Sequence, residues 1–257
     1  MTRAAFWAVA AVSMMATPAM AQGYVGLEYS SGEVDAILGS ADIDGWRGEG
    51  AVGFGGEGSW GGQIGGSFGN VESDSSDADT LTLDGHLFWT SGDWRLGGVV
   101  ALTQVDDSGS TDEWAYGVES MLSIGANSNL YASLTAGSVD SGGGSEGDLW
   151  NLDGGGNFYA SPNFRFGAMV GIGNIDFGSA DADTMSAGLN GEFQPWSAPV
   201  SITFGWTYFE IDDADLKSNS FHVGARWNFG GGTVQERDGA LPFTTGTGYF
   251  SRLYGVY

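Results

Sequence analysis

From residue 22 to residue 229 the chain repeats one pattern, stretches of about ten to thirteen residues in which apolar and polar side chains alternate. Residues 80–89, TLTLDGHLFW, show it plainly: Leu81, Leu83, Leu87 and Trp89 share one face, and Thr82, Asp84 and His86 share the other. A period of two is the signature of an extended strand with two unlike sides. Twelve such segments fall near 22–30, 45–54, 59–70, 80–89, 93–105, 113–124, 129–139, 148–160, 163–177, 183–193, 200–211 and 219–229. Strands of soluble sheets usually run about five or six residues. These match the roughly nine to eleven that a tilted strand needs to cross a bilayer.

Composition removes the alternatives. With 46 glycines in 257 residues, and no stretch beyond residue 21 following a 3.6-residue period, long helices are excluded. No apolar run after residue 21 is long enough for a membrane helix. Residues 1–21 carry the marks of a cleaved secretory signal: Arg3, an apolar run from Ala4 to Ala16, Pro18, and small residues at 19 and 21 before Gln22. Cleavage takes away one base and no acid, leaving 32 acids against seven bases. Such a chain does not bind nucleic acid, which needs clustered Lys and Arg. An exported chain without cysteine also has no disulfide staples.

The faces and connections sort by chemistry. One face of each segment is apolar and aromatic, as in Trp94, Leu96, Val100 and Leu102, or Phe164, Phe166, Val170 and Ile172. The opposite faces hold Gly, Ser, Thr, Asn and nearly all the strand charges. Connections at 55–59, 90–93, 125–129, 161–163 and 194–199 are short. Those at 31–44, 71–79, 106–112, 140–148, 176–183 and 210–218 are mostly longer and hold most of the 32 acids with one base, Lys217. Aromatics gather toward the two ends: Trp60, Trp89, Trp94, Trp196, Trp227 and Phe229 beside the short turns, Trp114 and Trp150 nearer the acidic end.

Strands greasy on one side, short turns at one end, acidic connections at the other and two aromatic girdles resemble the small outer-membrane β-barrel proteins of Gram-negative bacteria, the porin-like superfamily. SFHVGARWNF (220–229) is similar to the closing strand of that group, which ends in an aromatic residue; here 28 residues follow it. The resemblance implies an all-β, transmembrane, antiparallel up-and-down barrel of about 12 strands, with 10 or 14 as alternatives. It divides the chain into a signal (1–21), a barrel in the outer membrane (22–229) and a C-terminal extension (230–257), placed as a periplasmic tail or a lumen plug.

Lipid then lies outside, and the charges face the lumen. A lipid-facing Arg at the bilayer midplane costs about 2–4 kcal/mol, so the strand charges Glu28, Arg47, Glu49, Asp84, Arg95, Glu119, Asp153, Arg165, Glu192 and Arg226 turn inward, with His86 and His222. Hairpin counting sets Glu192 diagonally across from Arg165. Lumen charges of mixed sign either brace the wall or select solutes. The expected function is a passive channel for small hydrophilic solutes or ions. The alternative is a structural or adhesive surface barrel with no open pore. A lipid-modifying enzyme is the weaker third reading, because Ser220 and His222 are the sole Ser–His spacing that suggests a nucleophile and its base. No cofactor and no metal is expected, since the acid runs 73–79, 142–150 and 179–183 lack calcium-loop spacing. Outer-membrane lipid and lipopolysaccharide are the expected surroundings; the sequence leaves the oligomeric state open.

Overall fold

The computed structural model describes residues 22–36, 39–55, 58–73, 77–107, 109–141, 146–178, 181–195, 198–212 and 214–243. Twelve strands follow one another: β1 (Gln22–Ala36), β2 (Gly39–Phe54), β3 (Trp60–Ser73), β4 (Asp77–Ser91), β5 (Trp94–Asp106), β6 (Ser110–Ile124), β7 (Ser128–Asp140), β8 (Glu146–Ser161), β9 (Phe164–Asp176), β10 (Asp181–Phe193), β11 (Val200–Ile211) and β12 (Leu216–Phe229). Each pairs antiparallel with its chain neighbours. β1 closes on β12, from Gly23 opposite Phe229 to Asp35 opposite Lys217. Closure leaves no unpaired edge, and the expected strand number of 12 holds. The signal segment lies outside the described residues.

The strands reach 12 to 16 residues, longer than the alternation alone indicates. The extra length lies at the acidic end. The stretches expected as loops at 31–44, 71–79, 106–112, 140–148, 176–183 and 210–218 are, over much of their described length, continuations of the hairpins. Glu33 sits opposite Asp42, and Asp79 opposite Asp106. The physical reason is that the backbone ladder needs no apolar side chain. Two paired strands leaving an apolar belt keep their N–H···O=C bonds, and like charges facing each other in water repel weakly. Acidity marked exposure to water, not the end of the strand. At the other end the turns are tight: Ser91 faces Trp94 around a two-residue turn with Gly92 at φ 56°.

The outer face is apolar. Leu27, Val118, Val170 and Phe221 are each more than 60% exposed, which in water would be an aggregating surface and in lipid is the favourable one. Trp60, Trp89, Trp94 and Trp227 stand on this face toward the short turns, Trp114 and Trp150 toward the acidic hairpins, and all are exposed. Trp60 and Trp89 pack edge to face at 5.7 Å. Phe229 ends β12 half-buried, and Trp196 lies outside the described residues. No described helix is long and apolar enough to cross a membrane.

The inner face is layered rather than polar throughout, which corrects the expectation of a hydrophilic lining along every strand. Near the acidic hairpins Val139, Leu149, Ile175 and Phe209 form a buried cluster, joined by Phe177 and Ile211. Ile43, Val71, Ala78 and Val105 occupy buried inner positions at the same end of the neighbouring strands. Below this belt lies a layer of hydroxyls, with Thr82 bonded to Thr103 at 3.3 Å and Thr207 to Ser220 at 2.6 Å. The charged groups come next, toward the short turns. Alternation assigns a side chain to a face without distinguishing depth along that face, so the belt was not legible as a belt.

After β12 the chain turns back. Gly230, Gly231 and Gly232 take φ of 89°, 75° and 93°, a region that favours glycine. They lead into one helix, α1 (Val234–Ala240), whose Thr233 and Glu236 cap each other reciprocally. Val234, Arg237 and Asp238 are buried against the barrel.

Candidate functional site

A continuous chain of ion pairs crosses the inner face from β1 and β2 to β9 and β10. Arg47 Nη2 donates to Glu28 Oε1 at 2.6 Å, its direct cross-strand partner, and lies 3.7 Å from Glu49 Oε2. Arg226 Nε donates to Glu49 Oε1 at 2.6 Å although β1 runs between them. Gly26 makes this possible: it is the β1 residue opposite both, and a Cβ there would stand 2.9 Å from Arg226 Cγ and 3.0 Å from Glu49 Oε1. Arg226 also reaches Glu192 Oε2 at 3.2 Å and lies over the Tyr24 ring at 4.2 Å. Glu192, fully buried, accepts from Ser201 Oγ at 2.5 Å and lies 3.6 Å from Arg165 Nη2. Register places Arg165 directly opposite Glu192, one step closer than the diagonal expected from hairpin counting. Turn lengths alone did not fix that step.

The tail completes this network. Arg237 Nη2 donates to Glu192 Oε1 at 2.5 Å. Asp238 Oδ2 accepts from Arg165 Nη1 at 2.7 Å and from the Tyr159 hydroxyl at 2.9 Å. Farther on, Leu241 packs with Tyr24 and Ala51. Phe243 packs with Phe88 and Met121. Its main chain is gripped by the Gln63 amide, whose Nε2 donates to the Phe243 carbonyl at 2.8 Å while Oε1 accepts from the Phe243 N–H at 3.3 Å. Residues 234–243 therefore sit within the short-turn end of the barrel, against the inner side chains of β1, β2, β3, β4, β6, β8, β9 and β10. Residues 244–257 lie outside the described residues.

A second cluster lies across the lumen. His86 Nδ1 is 2.9 Å from Glu119 Oε1, and its Nε2 is 3.3 Å from Asp84 Oδ2. The Phe243 ring stacks on the imidazole at 5.8 Å, 11° from parallel. Asp153 is held by the Asn151 amide and by Ser133 Oγ at 3.5 Å. Arg95 donates to Met121 Sδ at 3.6 Å and has no carboxylate partner among the described residues. His222 sits on the same inner face, its Nδ1 without a hydrogen-bond partner among the described residues. Ser220 is bonded to Thr207, and no bond to His222 is found among the described residues. No group of three or more potential metal ligands occurs among the described residues.

Between the ion network and residues 241–243 lies a cavity of about 130 Å³, lined among others by Arg47, Tyr131, Arg165, His222, Asp238 and Phe243. Five residues that line it keep a buried polar atom without a hydrogen-bond partner among the described residues: Arg47 Nε, Arg165 Nε, Asn190 Oδ1, Thr203 Oγ1 and His222 Nδ1. On the tail itself Arg237 Nη1 is in the same condition. The sequence singled out the wall charges but not Phe88, Met121, Tyr159, Arg237 or Asp238. For the tail one signal was present: Thr233 followed three residues later by Glu236 is a helix-start pattern.

No protein-family model matches the chain, and no curated protein sequence matches it significantly. Solved structures do match in fold. An outer-membrane channel of Pseudomonas putida F1 aligns with a TM-score of 0.61 at 14% identity, over 83% of this chain and 97% of that one. The translocator domain of the autotransporter NalP from Neisseria meningitidis gives 0.54 at 12% identity, over 87% and 94%. The β domain of the Bordetella autotransporter BrkA gives 0.52 at 15% identity, over 80% and 99%. At these identities the likeness is one of fold: a closed outer-membrane β-barrel.

Proposed function

We propose that this outer-membrane-type barrel is a gated passive channel for small hydrophilic solutes, closed in the conformation described by its own C-terminal segment. The acidic hairpins face the cell exterior and the short turns the periplasm, the usual arrangement of the class. The observation that carries the reading is the seam between tail and wall. It is built largely from hydrogen bonds and ion pairs, beside a cavity of about 130 Å³. A tail serving as permanent filler is expected to seal against the wall mainly through apolar side chains; a seam of hydrogen bonds and ion pairs can exchange its partners for water. Withdrawal of residues 234–243 hydrates the seam at once.

The test is single-channel conductance in planar bilayers. The full-length protein is expected to be closed, and a chain ending at Gly230 to show discrete open steps. Arg95→Glu in that shortened chain is expected to shift ion preference toward cations, because Arg95 is a mouth charge without a carboxylate partner among the described residues. Silence from both lengths would remove the channel reading.

One observation favours the alternative, a sealed structural barrel: the belt of Val139, Leu149, Ile175 and Phe209 is at most 5% exposed, so the end opposite the tail is dry as well. A channel must hydrate this belt too, as hydrophobic constrictions do when they open.

A further inference from the structure

The tail holds the wall with two adjacent side chains of opposite charge, and each fills a pocket made by the barrel itself. The Arg237 guanidinium meets the Glu192 carboxylate at 2.5 Å, with the Tyr24 ring 6.0 Å from its Cζ. The Asp238 carboxylate meets Arg165 Nη1 at 2.7 Å and the Tyr159 hydroxyl at 2.9 Å. Tyr159 is held in turn by Asn129 Nδ2 at 3.2 Å. Glu192, Tyr24, Arg165, Tyr159 and Asn129 all belong to strands and stay in place when α1 leaves. The Glu192 carboxylate, which Arg226 and Arg165 also approach, therefore stands beside an Arg–Tyr pocket for a carboxylate.

Their spacing selects a ligand. The two tail charges approach each other to 3.8 Å, from Arg237 Nη2 to Asp238 Oδ1, the carboxylate oxygen next to the one seated on Arg165. Ordinary bond lengths put the ammonium nitrogen and carboxylate oxygens of a free amino acid roughly 3 Å apart, whereas each further residue adds about 3.8 Å of chain. We infer that the lumen holds a subsite for a compact zwitterion of the free amino acid class. Its ammonium group lies at Glu192 and its carboxylate at Arg165 and Tyr159; Arg237 and Asp238 occupy this subsite in the closed barrel as an internal stand-in for the solute. The inference rests on the channel reading. Charge balance supports it: the wall network of Glu28, Arg47, Glu49, Arg226, Glu192 and Arg165 is neutral, so a zwitterion leaves it neutral, whereas a simple anion or cation adds a net buried charge. The adjoining cavity of about 130 Å³ gives room for a small side chain.

The test uses the full-length chain carrying Arg237→Glu and Asp238→Lys, which set like charges against Glu192 and Arg165 and expel the tail from the subsite. Calorimetric titration with L-alanine is compared with methylamine, acetate and glycerol. L-alanine is expected to bind saturably and better than the other three. Binding should weaken at least about tenfold when Glu192→Gln or Arg165→Gln is added, the loss of one charge-assisted hydrogen bond, and should be at least about tenfold weaker in the unaltered chain, whose subsite is filled. Equal binding of all four compounds, no binding, or indifference to Glu192→Gln would overturn the inference. If the charge-reversed chain does not refold, Arg237→Ala with Asp238→Ala vacates the same pockets and is read by the same criteria. Selective binding without conductance in bilayers upholds the subsite and removes the channel; conductance without selective binding does the reverse.

Discussion

Arg226 stands where three strands and two carboxylates meet, with Glu49 at 2.6 Å, Glu192 at 3.2 Å and the Tyr24 ring beneath it. Its inward placement was legible from the sequence, because an arginine among lipid-facing residues is costly. Its partners were not, since they depend on register and on the gap that Gly26 leaves. Arg226→Met leaves Glu49 and Glu192 buried with fewer cations, and breaking a buried pair this way costs about 3–5 kcal/mol. A clear drop in the urea midpoint of the refolded protein is expected. Lys217→Met removes an exposed pair with Glu210 (3.0 Å, Lys217 side chain 45% exposed) and is expected to cost less than about 1 kcal/mol. Equal losses from the two would mean that water reaches Arg226 freely. On the outer face, Val118→Arg places a charge in the apolar band and should cost about 2–4 kcal/mol in the same measurement made in lipid.

At the scale of elements, the strands were legible because alternation is a local signal, repeated on each of them. Their far ends were not, since polar hairpin residues carry no apolar face to count. The tail was least legible: its lone described helix has seven residues and gains its stability from docking rather than from length. Two local features hold it in place. Thr233 accepts from the Glu236 N–H at 3.2 Å, and such a cap is worth about 1 kcal/mol. Gly231 turns the chain inward at φ 75°, where an alanine is strained by about 1–2 kcal/mol. Both Thr233→Ala and Gly231→Ala are expected to speed proteolytic cleavage within residues 234–243 of the detergent-solubilised protein while leaving the boiling-dependent gel shift of the barrel unchanged. Protection equal to that of the parent chain would show that the tail is held by its contacts with the wall, at Glu192, Arg165, Gln63 and around Leu241 and Phe243, and not by these two features.

Seen as a whole molecule, the barrel holds the tail at its short-turn end and an apolar belt near the acidic hairpins, with the charged layer between them; in the channel reading each is a barrier. The wall does not need the tail to close, since β1 and β12 pair along 13 register positions without it. Deleting residues 230–257 is therefore expected to leave a compact, heat-modifiable barrel. Two barriers in series act as resistances in series, so removing one leaves the conductance set by the other. The belt is apolar because Phe209, Val139, Leu149 and Ile175 fill the inner face there, and an apolar constriction conducts only when it wets. Phe209 is 2% exposed and sits in this cluster. Phe209→Ser shrinks it and supplies a hydroxyl beside the existing layer of Thr207 and Ser220. In bilayers, Phe209→Ser alone is expected to stay closed, deletion of 230–257 alone to give small, flickering steps, and the two together to give steady openings several-fold larger. If the deletion by itself reaches the combined conductance, the belt is already wet and the tail is the whole gate.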